Sequence, residues 1–351
     1  MRLLALAALF PFAALADSSN TTARTLTSLG EGIWEIRHPD APDGFPQGNT
    51  TVIAGDKAVL VVDSCLLPSS TRADIEQIRK WTPKPVAWLV NTHWHFDHTA
   101  GNGAYAAAFP GLQIVAHEHT KKMIESFNPG AIVRYPARQQ RFEKMLETGK
   151  DQDGRPLSDA LRADLKKSLA GLGPMVAEMK GLTQLPPNVS FDHELNLDLG
   201  NREVQVRFLG RGNTGGDTVV WLPREKLLVA GDLLDHPVPY LFGGFPVDLV
   251  RTLRGIADMD IDKIVPGHGE VLSGKGYVTK VAAMVASVNA EVEKELNSGL
   301  TKEQVLDAAP KNLPVATWRA QFAAEDKDSA DFFEESFAGL VKASANQIAI
   351  R

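Results

Sequence analysis

The sequence predicts a mixed α/β fold, a β-rich body with helices interleaved between its strands and a helical C-terminal end. Short apolar runs of strand length recur between turn residues, as in residues 32–37, 50–54, 58–62 and 86–90. Stretches with helical apolar spacing fall between and after them. One such strand runs directly into Thr92-His93-Trp94-His95-Phe96-Asp97-His98, where three imidazoles and a carboxylate crowd together before a glycine-marked helix. A chain of 351 residues with 44% hydrophobic content can bury one large core or two smaller ones, and nothing in it suggests disorder.

The chain opens like an export signal. Arg2 is a short positive region, residues 3–15 are apolar, and Ala14-Leu15-Ala16 fits a cleavage site, so residues 1–16 read as a signal peptide and Asp17 as the mature start. The apolar run is shorter than the ~20 residues a membrane span needs, so no stable membrane insertion is expected after cleavage. The expected location is periplasmic or secreted. The formal charge is −6, and losing Arg2 makes the chain more acidic still, which argues against a nucleic-acid partner. Cys65 is the only cysteine, so no intramolecular disulfide can form, and it reads as a small buried hydrophobe.

Residues 32–37 read as a first strand, and 50–54 with 58–62 as a hairpin around Gly55-Asp56 that ends at Asp63. Ile75 and Ile78 set a helix over 70–81. The strand 86–90 then delivers the His cluster, and Gly101, Gly103 and an Ala-rich helical run to Phe109 follow it. The cluster therefore sits on a strand-to-helix loop, where a rigid scaffold commonly presents a site. Neutral imidazoles and an ionised Asp are donors for a borderline divalent cation such as zinc, and they stand too densely here for ordinary surface use.

A strand over 113–116 precedes His117-Glu118-His119. Alternating His residues at a strand end before a helix read as capping or supporting groups rather than ligands. Residues 120–185 exceed what a connection needs and form an insertion. Leu157, Leu161, Leu165, Leu169 and Leu172 recur among charged residues as an amphipathic helix whose apolar face either packs on the core or roofs a cleft. Strands follow at 196–199, 203–209 and 218–222, then a turn at 223–226 and a strand at 227–230 leading to Asp232. The loop 236–244, rich in Pro, aromatics and Gly, either lines a pocket, with His236 and Tyr240 as its candidates, or packs rigidly beneath one. A last strand at 264–266 precedes His268, a helix covers 278–296, and Thr301-Lys302-Glu303-Gln304 fits a capping box. These tail helices are expected on the outer face. Repeats, nucleotide-binding glycine loops and a nucleophile elbow are absent from the sequence.

His93-x-His95-x-Asp97-His98 resembles the signature of the metallo-β-lactamase superfamily. Phe208-Leu209-Gly210-Arg211-Gly212-Asn213-Thr214-Gly215-Gly216-Asp217 resembles its second motif, Val229-Ala230-Gly231-Asp232 its third and Pro266-Gly267-His268-Gly269 its last, in order over roughly residues 30–275. The resemblance implies a four-layer αββα sandwich over residues 26–275 with a helical insertion at about 120–185 and a helical extension over 276–351. It places His93, His95 and Asn213 at a first metal position, Asp97, His98 and His268 at a second, and Asp232 between the two as a bridge. Asp63 corresponds to a residue that props the metal loop through hydrogen bonds, with plain turn capping as the other reading. The implied cofactor is one or two zinc ions, with iron or manganese also compatible with His and carboxylate donors.

The departure is Asn213, which stands where the family carries a His. A neutral amide oxygen is a poorer zinc donor than imidazole. Three outcomes are open: one tightly held ion at Asp97, His98, Asp232 and His268; a dinuclear site with Asn213 ligating through its carbonyl; or His236 swinging in as the missing ligand. The first two are preferred. Asp232 resembles thioesterase, lactonase and phosphodiesterase members, whereas β-lactamases usually have Cys or Ser there. The expected function is an exported metal-dependent hydrolase that opens a small ester, lactone or amide, with a metal-bound water or Asp97 protonating the leaving group. Opening of β-lactams is the alternative, and a non-catalytic, metal-stabilised binding protein the competing class. Phosphodiester cleavage ranks below both hydrolase readings. The expected partner is a small-molecule substrate, and the sequence is silent on oligomeric state.

Overall fold

A computed structural model describes residues 24–323 and 326–350. The proposed signal peptide and mature start lie outside the described residues. The first half of the chain builds a seven-stranded sheet in sequence order: β1 (Thr25–Gly30), β2 (Ile33–Arg37), β3 (Thr50–Ala54), β4 (Val59–Val62), β5 (Val86–Val90), β6 (Gln113–His117) and β7 (Val189–Phe191). The first four strands are antiparallel neighbours, whereas β4 to β7 run parallel and need helical crossovers. These are α1 (Pro68–Trp81), then α2 (Phe96–Thr99) and α3 (Asn102–Ala108), and, across the insertion, α4 (Glu118–Ser126), α5 (Pro129–Thr148) and α6 (Asp159–Met179).

The second sheet has six strands, β8 (Glu194–Asp198), β9 (Glu203–Phe208), β10 (Thr218–Leu222), β11 (Leu227–Gly231), β12 (Lys263–Pro266) and β13 (Leu272–Ser273), hydrogen-bonded in sequence order. Helix α7 (Pro246–Asp258) crosses between the parallel strands β11 and β12. The tail is α8 (Gly276–Asn297), α9 (Lys302–Ala308), α10 (Val315–Phe322) and α11 (Lys327–Ile348). Among the described residues no helix is long and apolar enough to cross a membrane.

Period-two alternation explains how the layers stack. On β4, Leu60 and Val62 face the second sheet and meet Val220, Leu222, Leu227 and Val229. The alternate residues Val59 and Val61 face outward onto Ile75 and Ile78 of α1 and Tyr105 of α3. On the second sheet, Val219, Trp221, Leu228 and Ile264 take the opposite face and pack beneath α7, α8 and α11. Both sheets are covered on both sides, giving helix, sheet, sheet, helix, as the resemblance implies.

Several elements follow their sequence patterns closely. Thr301 and Gln304 form the capping box, each side chain bonding the other's backbone. In the insertion, the apolar stripe is buried at Leu165 and Leu172 and continues through Met175 and Met179. The tail differs from expectation. Phe333 and Phe337 of α11 join the core beside the second sheet, but Phe332 and Glu335 on its adjacent face line a cleft. Consecutive phenylalanines give this helix two apolar directions, so it is a cleft wall as well as an outer layer.

Candidate metal centre

The strand β5 lies between β4 and β6 in the parallel half of its sheet, and its C-terminal end releases the chain at Asn91. Asn91 and Asn102 exchange amide hydrogen bonds of 3.0 and 2.8 Å across the base of the loop. Ser64 N donates to His98 O at 2.8 Å. Asp63 accepts from Thr92 N at 2.8 Å and from Thr92 Oγ1 at 2.7 Å, and lies 2.9 Å from His98 Nδ1. With Nδ1 engaged by a buried carboxylate, the Nε2 of His98 is the nitrogen turned to the cluster, the orientation a ligating imidazole needs.

Donor atoms from both sheets converge here. His98 Nε2 is 3.1 Å from His268 Nε2, 3.0 Å from Asp232 Oδ1 and 3.3 Å from Asp97 Oδ2. His268 Nε2 is 3.0 Å from Asp97 Oδ2. On the other side, His93 Nε2 is 3.1 Å and His95 Nδ1 3.7 Å from Asp232 Oδ2. The amide end of Asn213 lies 3.4 Å from both His95 Nδ1 and Asp232 Oδ2. All seven residues the resemblance singled out are therefore brought together, with Asp232 between two groups.

The arrangement suits a cation better than it suits hydrogen bonding. Donors held about 2.1 Å from a tetrahedral ion stand about 3.4 Å from one another, which is the spacing seen. His93 Nε2 and Asp232 Oδ1 are buried yet have no hydrogen-bond partner despite these short separations, as expected when lone pairs aim at a common point. Burial alone would strip the protons from His98 and His268; the surrounding carboxylates, Asp232 first, outweigh it, and His268 is pushed up to about 9. Burial likewise opposes charge on Asp97 and Asp232, and the imidazoles, His98 first, hold both carboxyls below their usual range. A divalent cation would take the place of those trapped protons. The residues present fit a divalent ion.

Backbone shape makes the approach possible. Gly231 has φ 54°, and a side chain there would press on Thr92. A Cβ at Gly267 would collide with Asp232 Oδ1, so the glycine before His268 is what lets the two ligand loops touch. The loop carrying Asn213 is tied down by Asp217, which accepts from Gly212 N at 2.8 Å, Thr214 N at 2.9 Å and Thr214 Oγ1 at 2.7 Å.

The cluster lies at the base of a cavity of about 560 Å³. Trp94 and Phe96 come from the metal loop, Ala131 and Tyr135 from α5, Tyr240 from the loop after β11, and Phe332 from α11. The insertion thus roofs the cleft. Asn128, capping α5, donates to Trp94 O at 2.9 Å and Thr99 Oγ1 at 3.0 Å, fixing roof to metal loop. Tyr240 stands 6.4 Å from His95, ring to ring. Burial, then the charges of Asp97 and Asp232, push its phenol up, so it keeps its proton at neutral pH.

His236 also lines the cleft, but its ring packs on Tyr277 at 5.2 Å. Among the described residues it joins none of the groups of converging metal donors, so the structure does not place it as the replacement ligand. His117 accepts from His119 N at 3.1 Å and caps α4, with its ring on Phe208. Sequence reasoning passed over Asp235, which is 5% exposed and groups with Asp232 and His268. Burial, then the charge of Asp232, hold its carboxyl well above the usual range. Its only signal in the sequence was an unexplained acid three residues past Asp232.

The sequence profile of the Metallo-beta-lactamase superfamily matches residues 43–268. A linear primary-alkylsulfatase of Pseudomonas sp. (strain ATCC 19151) is 25% identical over 276 residues, 73% of this chain and 48% of that protein, so this chain spans about half the relative's length. A metallo-beta-lactamase type 2 of Bacillus cereus is 22% identical over 266 residues, 72% of this chain and 79% of that one. Among solved structures, a metallo-beta-lactamase from Pontibacter korlensis superposes with a TM-score of 0.53 at 16% identity, covering 75% of this chain and 99% of that one. A metallo-beta-lactamase of Pseudomonas aeruginosa in its mono-zinc form gives 0.51 at 17% identity, over 76% and 96%. At such identities the solved structures speak for the fold alone.

Proposed function

This chain belongs to the metallo-beta-lactamase superfamily, and from that premise we propose that it is a metal-dependent hydrolase opening a small ester, lactone or amide bond. The observation that carries the reading is the convergence of seven donor side chains at the base of an apolar cleft. His93, His95 and Asn213 would hold one ion, Asp97, His98 and His268 another, and Asp232 would touch both. A divalent ion there supplies Lewis acidity, polarising a carbonyl and making water acidic enough to attack at neutral pH.

The remaining work falls to the chain's own groups. Trp94, Phe96 and Tyr135 line the cleft with apolar surface that sheds water from a bound acyl group. The protonated Tyr240 can donate a hydrogen bond beside His95. Asp97, ionised and lining the same cleft, is placed to accept a proton from the attacking water and pass it to the departing oxygen or nitrogen. Asp63 keeps His98 in one tautomer. Export by residues 1–16 belongs to the same proposal.

Two substrate classes besides esters and lactones belong in the test. The Bacillus cereus relative's name brings β-lactams, although Asp232 in the third motif weighs against them. The Pseudomonas relative's name brings linear alkyl sulfates, and Arg134 and Arg141 of α5 at the cavity lining would suit an anionic head above an apolar wall. Purified protein should be assayed against a lactone, a thioester, nitrocefin and an alkyl sulfate with and without chelator. Turnover that chelation abolishes is expected, and Asp97→Ala, assayed with saturating metal, should lower it by at least ~100-fold while the protein remains folded. Metal binding without turnover of any of these compounds would overturn the hydrolase reading in favour of a binding protein.

A further inference from the structure

Asp235 has no role in the scheme above, yet its position is tightly set. Leu233 and Leu234 on the preceding turn are buried in the core beneath α7 and α8. The Tyr277 hydroxyl donates to the Asp235 carbonyl and, at 2.9 Å, to that of Pro237. With the backbone fixed from behind, the Asp235 side chain lines the cleft with Asp232 and His268. Its Oδ2 accepts only a long bond of 3.4 Å from Tyr240 N. Its Oδ1 is buried with no partner.

A buried carboxyl oxygen with no hydrogen-bond partner, such as Asp235 Oδ1, is an unmet acceptor that native structures seldom leave without a compensating group. No basic side chain forms an ion pair with Asp235 among the described residues, while one donor atom each from Asp232, Asp235 and His268 lie within 4.8 Å of one another. His268 and Asp232 belong at the same time to the groups around His98. We propose that Asp235 is a further carboxylate ligand for the ion position formed by Asp97, His98, Asp232 and His268. The inference rests on reading the cluster as a metal centre, and it makes the two positions unequal. One gathers three carboxylates and two imidazoles. The other has two imidazoles, the neutral Asn213 and a share of Asp232. The first should fill first, and its oxygen-rich donor set should accept a harder ion such as manganese more readily than an imidazole-rich site would.

The test is metal binding by the full chain, independent of any substrate. Metal-free wild type, Asp235→Asn and Asp235→Ser are titrated with zinc and with manganese against a competing chelator, and ions per chain are counted by elemental analysis. Cobalt substitution then gives the visible spectrum of the first ion bound. The expected result is that both variants hold the tighter ion at least about tenfold more weakly and show an altered cobalt spectrum, while their metal-free melting temperatures stay close to wild type. Unchanged affinity and spectrum in a variant that folds, with wild type binding metal, would overturn the role of Asp235 and leave the metal centre standing. Weaker binding with an unchanged cobalt spectrum would also overturn it, by showing that Asp235 supports a ligand without being one. A wild type that binds no ion would remove the metal reading itself.

Discussion

Asn213 stands 3.4 Å from both His95 and Asp232, so the exchange of imidazole for amide has not moved the side chain away from the cluster. Which end of the amide faces inward depends on the partner, since nitrogen and oxygen occupy equivalent positions. Because Asp217 pins the loop on either side, Asn213→His should deliver an imidazole to the same place. The expected outcome is a second ion per chain bound at least about tenfold more tightly, read by elemental analysis across a chelator series; an unchanged count would remove this position from the metal centre. A different kind of prediction attaches to Glu35 on β2, which is 2% exposed. Burial raises its pKa, against the opposing effects of Thr27 and Arg37. The unfolded chain therefore releases this proton first, and stability falls as pH rises from the ordinary carboxyl value of about 4.3 through the higher folded value. Glu35→Gln should melt above wild type at neutral pH, with the gap closing toward about pH 4; a gap constant with pH would show that the buried charge is not its cause. These residues also mark what a sequence reveals. The metal candidates were legible because four short motifs carry them at high density, whereas Asp235 is a lone acid whose burial depends on Tyr277 folding back from another helix.

Among the elements, β3 and β4, α1, α8 and the capped α9 could be read from local pattern, since a short β-branched apolar run, helical spacing or a capping box marks each of them. Helix α5 could not. It carries Pro129 and Pro136 and the arginines 134, 138 and 141, with only Ala131 and Met145 buried, so no apolar stripe announces it. Its inner face is used for lining a cleft rather than for filling a core. The same reasoning covers α11, whose second apolar direction, through Phe332, lines the cleft. Asn128 tests the roof directly. Asn128→Ala deletes two hydrogen bonds, to the half-buried Trp94 carbonyl and to Thr99 Oγ1, which should cost about 1–2 kcal/mol. Thermal melts should show that loss, and KM for the best substrate should rise while metal content stays at the wild-type level. A variant that loses metal in proportion to stability would mean that Asn128 supports the ligand loop and not the roof.

At the scale of the whole molecule, the centre joins two halves of the chain that fold as separate sheets. His93, His95, Asp97 and His98 leave the end of β5, while Asp232 and His268 leave β11 and β12. Protein contacts also cross this seam: Asn49 Nδ2 donates to Pro266 O at 3.1 Å and Gly269 O at 2.9 Å, and Asn49 N to Gly267 O at 2.7 Å. The apolar layer between the sheets and the two outer cores needs no ion, so a metal-free chain should keep its secondary structure. An ion bound to donors from both sheets nevertheless favours the folded state over the unfolded one, by about 4 kcal/mol when free metal exceeds its dissociation constant a thousandfold. Chelation should therefore lower the melting temperature while far-ultraviolet dichroism at 25 °C is unchanged, and added zinc should restore it in a concentration-dependent way. The lost stability should track the tighter of the two positions, because that ion ties Asp97 and His98 of one sheet to Asp232 and His268 of the other. In Asn213→His, an ion strengthened at the looser position, which His93, His95 and Asp232 also draw from both sheets, should add a second increment. A melting temperature indifferent to chelator and to zinc would mean that the sheets are held by their apolar contacts and by protein hydrogen bonds such as those of Asn49, without help from an ion.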